Sequence, residues 1–75
     1  MGFSEFIEKT LKKGRGYRYH TYETEFDGDE FRLYHYGTLI LSASLSEKKV
    51  KRWLITSISD SQAISSCHQI LGLPY

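Results

Sequence analysis

The chain has a single cysteine, no long hydrophobic run and almost no net charge, and each shortage removes a class of explanation. Cys67 alone permits neither an internal disulfide nor a cysteine-rich zinc site, so the staples that support many very small domains are ruled out. No stretch approaches the roughly 18 apolar residues of a membrane-spanning helix. The N-terminus has neither the basic start nor the apolar run of a signal peptide, so the expectation is a cytoplasmic protein with no membrane association. A formal net charge of +1 excludes a strong field over the whole molecule. A glycine-rich phosphate loop, paired carboxylates and a serine–histidine–acid arrangement are all missing, which points away from an enzyme and from any cofactor.

What is present is a rich aromatic complement. Four Phe, six Tyr and one Trp within a 40% hydrophobic fraction supply a core and argue against disorder. The 75 residues make one domain, 1–75, in which packing must carry the fold. A chain of this size buries only about 60–65% of the surface its unfolded form exposes. The charges are segregated along it: Lys12, Lys13, Arg15 and Arg18 form one basic block and Lys48, Lys49, Lys51 and Arg52 another. Between them lies an acidic block of Glu23, Glu25, Asp27, Asp29 and Glu30.

Phe3, Phe6, Ile7, Thr10 and Leu11 recur at helical spacing, with Ser4 as cap and Gly14 as stop. Residues 17–26 are dense in strand formers and predict a first strand. Asp27-Gly28 is a dipeptide favoured in two-residue hairpin turns, and residues 31–36 predict the second strand. Gly37 gives a turn or bulge. Leu39, Leu41, Ala43 and Leu45 then alternate with Ile40, Ser42 and Ser44, as a third strand with one buried face would. Residues 50–56 predict a fourth strand whose apolar residues fall on both faces. Ser59 with Gln62 fits a capping box, and Ala63, Ile64, Cys67, Ile70 and Leu71 line a helical face that stops at Gly72 and Pro74.

These elements assemble most simply as an α+β domain: an N-terminal helix, a four-stranded antiparallel meander and a C-terminal helix, both helices on one face of the sheet. If Phe31 and Leu33 point to the helices, Arg32, Tyr34 and Tyr36 point away as a basic and aromatic stripe. The large residues on both faces of the first and fourth strands fit either a sheet covered on both sides, by a second copy or a partner, or edge positions.

The run Tyr34-His35-Tyr36-Gly37-Thr38-Leu39-Ile40, then Trp53, Ser57-Ile58-Ser59-Asp60-Ser61, Ile64 and Leu71-Gly72 resembles small uncharacterised proteins of bacteriophages and mobile elements. The resemblance covers residues 31–73. It implies a genomic setting and supplies no catalytic residue.

The reactive residue types have structural explanations. Cys67 and His68 would point about 100° apart on a helix, too far for a nucleophile–base dyad, so Cys67 reads as a buried structural thiol. His20, His35 and His68 lack the short spacing of a metal motif. Asp27, Asp29 and Glu30 lack the glycine and distant glutamate of a calcium loop and read as a solvated hairpin tip. Ser57, Ser59, Asp60 and Ser61 could hold an anion at a helix N-terminus, but capping accounts for them.

Three binding classes follow. In the first, a small non-enzymatic, inhibitor-like protein associates stoichiometrically with a host or defence protein. Arg32, Tyr34 and Tyr36 would make the contact, with Asp27, Asp29 and Glu30 engaging a basic partner. In the second, a regulatory module binds nucleic acid through Lys12, Lys13, Arg15, Arg18, Tyr19, Lys48, Lys49, Lys51 and Arg52, cations neutralising phosphates while rings stack on bases. The near-neutral charge weighs against it. In the third, the chain is an oligomeric accessory protein, such as a homodimer, whose exposed aromatics pair with another copy.

Overall fold

A computed structural model describes residues 2–55 and 57–73. Its first helix, α1, spans Phe3–Lys13. Glu5 lies in the first turn and Lys12 and Lys13 in the last, each sign matched to the helix dipole. The cap is Gly2 in extended conformation, and Ser4, expected as the cap, lies inside the helix. Gly14 ends it with φ 70° and donates its N–H to the Thr10 carbonyl.

Five antiparallel strands follow: β1 (Arg18–Tyr19), β2 (Tyr22–Phe26), β3 (Glu30–His35), β4 (Thr38–Ser44) and β5 (Lys49–Trp53), in the spatial order β1-β2-β3-β4-β5. The meander therefore has five strands where four were expected. Residues 17–26 do not form one strand, because His20 turns at φ 53° and Tyr19 pairs with Tyr22. No glycine, proline, asparagine or aspartate marks that turn.

The other hairpins are set by local chemistry. At residues 27–30 the corner is Gly28-Asp29 rather than Asp27-Gly28: Gly28 takes φ 100°, and the Asp27 carboxylate accepts the Glu30 N–H at 2.9 Å. Tyr36 and Gly37 are the corner of the next hairpin, with φ 53° and 78° between the paired His35 and Thr38. Positive φ at both corner positions is the twist-matched geometry of a tight hairpin. Tyr36 is therefore a turn residue and not the end of the second strand.

The last helix, α2, spans Ile58–Leu71. Its cap is Ser57, two positions before the expected Ser59, with Oγ accepting the Asp60 N–H at 3.2 Å. Gly72 closes it with φ 67°. Thr56 and Pro74, read as the end of the fourth strand and part of the helix stop, lie outside the described residues.

Both helices cover one sheet face. Phe6 and Ile7 of α1 and Ala63, Ile64, Cys67 and Leu71 of α2 close over Phe31, Leu33, Ile40, Leu41 and Ala43. Cys67 is 0% exposed, and burial pushes its thiol up to about 12. The strict alternation expected in the third strand breaks at a bulge: Leu33 pairs with Leu41 but Tyr34 with Leu39, so Ile40 joins Leu41 in the core at 1% exposure.

The facing of the outer strands is decided by packing. Tyr19 stacks on Phe6 and Tyr22 meets Phe3 edge-on, while Thr24 and Thr10 share a buried hydroxyl contact at 2.6 Å. Gly16 lets the chain pass against β2, because a Cβ there would lie 2.1 Å from the Thr24 carbonyl oxygen. At the other edge only Val50 of β5 packs on the core, and Lys49, Lys51, Arg52 and Trp53 are exposed.

Candidate partner-binding surface

The sheet face away from the helices is a charge-compensated network. Arg32 reaches Glu25 at 3.1 Å and Asp27 at 3.6 Å and pairs with Glu30, and Glu30 and then Glu25 hold its guanidinium charged. Tyr34 donates its hydroxyl to Glu25 at 2.7 Å, which raises the phenol and, with Arg32, lowers the Glu25 carboxyl. Lys51 adds a contact to Glu30 at 3.4 Å, and Arg18 pairs with Glu23 at 2.9 Å.

The acidic tip is also occupied from within. Asp29 accepts hydrogen bonds from the Ser44 hydroxyl and the Ser46 N–H, both at 2.9 Å, which lowers its carboxyl and ties the β2–β3 turn to the start of the β4–β5 turn. Asp27 caps its own turn. The structure thus places Arg32, Tyr34, Asp27 and Glu30 in one network centred on Arg32 and Glu25, while Asp29 is bonded to Ser44 and Ser46.

Uncompensated apolar surface lies elsewhere. Tyr36 is 78% exposed, Trp53 62%, Leu54 41%, Ile55 45% and Ile58 78%. Leu54 donates its N–H to the Ile40 carbonyl at 2.9 Å, which brings the chain leaving β5 against the start of β4. Tyr36 and Ser57 line one cavity, of about 310 Å³, with His35, Thr38, Ile40 and Asp60. The five apolar residues therefore gather at the end of the molecule where the β3–β4 turn, the exit of β5 and the start of α2 meet.

A buried clamp holds this end together. His35 Nδ1 and Asp60 Oδ1 lie 2.6 Å apart, and Asp60 is 1% exposed in the first turn of α2. The His35 ring stacks on Tyr22 at 4.2 Å and meets Tyr36 at 4.6 Å. A buried carboxylate beside a ring N–H fixes both side chains, so the clamp joins α2 to β3 and presents Tyr36 and Ile58 on a firm base.

The two basic blocks occupy opposite sheet edges. Arg18 is on β1 and Lys49, Lys51 and Arg52 are on β5, four inter-strand steps or about 19 Å apart, with Glu23, Glu25 and Glu30 between them. Arg15 lies over the Tyr17 ring and donates to its hydroxyl, Tyr19 packs under Phe6, and Lys48 donates to the Leu71 carbonyl. Among the described residues no group of three or more His, Cys, Asp or Glu side chains is arranged to hold a metal ion, and no helix is long and apolar enough to cross a membrane.

By residue type Tyr36 stands out in the sequence, and Leu54, Ile55 and Ile58 do not. The only local sign was an apolar triplet, Trp53-Leu54-Ile55, that follows neither strand nor helix periodicity. His35 and Asp60 are 25 residues apart and carry no joint signature. Comparison with known proteins finds no matching family model, no matching curated protein and no matching solved structure.

Proposed function

We propose that this chain is a small non-enzymatic binding module that associates stoichiometrically with another protein, in the inhibitor-like manner of a domain that masks a target's surface. The observation that carries this reading is that Tyr36, Trp53, Leu54, Ile55 and Ile58 are all exposed, on segments whose backbones converge where the β3–β4 turn, the exit of β5 and the start of α2 meet. Tyrosine and tryptophan are the residue types most often found as interface anchors. Tyr36 adds an independent argument, because an aromatic residue held at φ 53° costs folding energy and, at 78% exposure, returns little packing.

Nucleic-acid binding fits this geometry less well. The cations of the two blocks face opposite edges, carboxylates interrupt the face between them, and Tyr19 is committed to the core. A host or defence protein is the proposed target class.

Affinity capture from bacterial lysate tests the reading, with the wild-type chain and a Trp53→Ser/Ile58→Ser variant each run with and without nuclease. A discrete protein retained by the wild type after nuclease and lost with the variant is the expected result. Retention that disappears with nuclease, or that is the same for the variant, would overturn it.

A further inference from the structure

We propose that β5 and the apolar chain leaving it form a strand-addition site for an extended acidic segment of another protein. The proposal rests on the binding reading above and names the chemistry of the partner.

The sheet has two edges, and they are not equivalent. β1 offers only Arg18 and Tyr19, too short a ladder to hold a strand, whereas β5 offers five residues, interrupted by a bulge at Lys51, and pairs with β4 on one side only. In an antiparallel edge strand, alternate backbone N–H and C=O groups face away from the sheet and can continue the ladder. β5 meets solvent, with Lys49, Lys51, Arg52 and Trp53 exposed.

Charge then selects the occupant. Three of the five β5 residues are cationic, and among the described residues Lys49 and Arg52 take part in no ion pair. A second copy paired antiparallel about Lys51 would set Lys51 against Lys51 and bring all the β5 cations of both chains together, with only the Glu30 contact of each Lys51 to offset them, which is destabilising. Lysines on an edge repel neutral assembly and self-assembly. The β4–β5 pairing shifts register between Ser42–Arg52 and Ala43–Val50, so Lys51 is bulged and Lys49 and Arg52 share one sheet face, where they attract a strand that carries Asp or Glu on that same face. Edge protection does not account for Trp53, Leu54 and Ile55, left 62%, 41% and 45% exposed directly after the cations. An incoming strand that alternates acidic and apolar residues satisfies both features: its acids meet the β5 cations and its apolar residues cover Trp53 and the chain beyond.

Selection of random twelve-residue peptides displayed against the purified full chain tests this. Enriched peptides should alternate acidic and apolar residues, bind one to one and shift the emission of the chain's single tryptophan to the blue. Binding should weaken about tenfold or more in a Lys49→Glu/Arg52→Glu variant, and likewise when alternate peptide amides are N-methylated, because strand addition needs those N–H groups. Enriched peptides without acidic residues, or indifferent to N-methylation, would overturn strand addition while the protein-binding reading stands. No enrichment over the Trp53→Ser/Ile58→Ser variant would overturn both. So would a tryptophan response only to single-stranded DNA or to phosphatidylglycerol vesicles, or a dimer by light scattering in place of peptide binding.

Discussion

Replacing Tyr36 by asparagine should make the protein more stable and a poorer binder. The backbone at residues 36–37 holds φ 53° and 78°, the two-residue corner for which Asn-Gly is the preferred sequence. An ordinary L-residue in the left-handed region costs about 1–2 kcal/mol, and asparagine escapes part of that cost. The opposing loss is small: the Tyr36 ring is 78% exposed, and its contact with His35 at 4.6 Å is tilted by 32°. Aromatic pairs contribute about 0.5–1.5 kcal/mol when well formed, and an exposed one lies at the low end. The Tyr36 N–H to Thr21 carbonyl bond at 2.9 Å uses backbone atoms and survives the change. The net gain is then about 0.5–1 kcal/mol, a rise of about 2–8 °C in Tm for a domain of this size. Thermal and urea denaturation should be followed by far-UV circular dichroism, because Trp53 is 62% exposed and reports folding poorly. A Tm equal to or below that of the wild type would refute the reasoning and make Tyr36 a structural residue. A higher Tm with undiminished capture of the partner would remove Tyr36 from the contact surface.

Two further outcomes follow from the same structure. Gly16→Ala should cost about 3 kcal/mol, because the new Cβ would sit 2.1 Å from the backbone oxygen of Thr24 and β2 cannot yield without losing its pairing to Tyr17; a urea midpoint within 0.5 M of wild type, at an m-value of about 1 kcal/mol/M, would show that the chain passes β2 differently. Acid should weaken the fold through the sheet's polar face: the folded-state carboxyls of Glu25, Asp27 and Asp29 lie below their ordinary 4.5 and 3.8, so the unfolded chain binds protons first, and the stability they contribute is complete above those values and lost as pH falls through the lowered ones. Denaturation midpoints should hold from pH 7 to about 5 and drop below about 4, and a Glu25→Gln/Asp29→Asn variant with an unchanged acid slope would contradict the assignment.

Residue type and spacing alone establish the class of the fold, its two helices and which strand residues face the core. Helical spacing in residues 3–11 and 63–71 and the Gly14 and Gly72 stops are local properties, as is the alternation that turns Phe31 and Leu33 inward. The turn at His20 was not legible because no residue type there demands it; it arises where β1 folds back so that Tyr19 and Tyr22 can both pack against α1. The bulge at Ile40 was hidden for a similar reason, since it answers to the packing of two neighbouring residues into one core rather than to a pattern along the strand. The candidate surface was half legible: Tyr36 stood out by type, but the exposure of Trp53, Leu54, Ile55 and Ile58 depends on where α2 comes to rest. α2 packs on α1 and β4 and leaves the end of β5 bare, with His35 and Asp60 holding it there across 25 residues of sequence. Apolar residues in a sequence announce burial, and only the tertiary arrangement determines which of them the core has no room to cover.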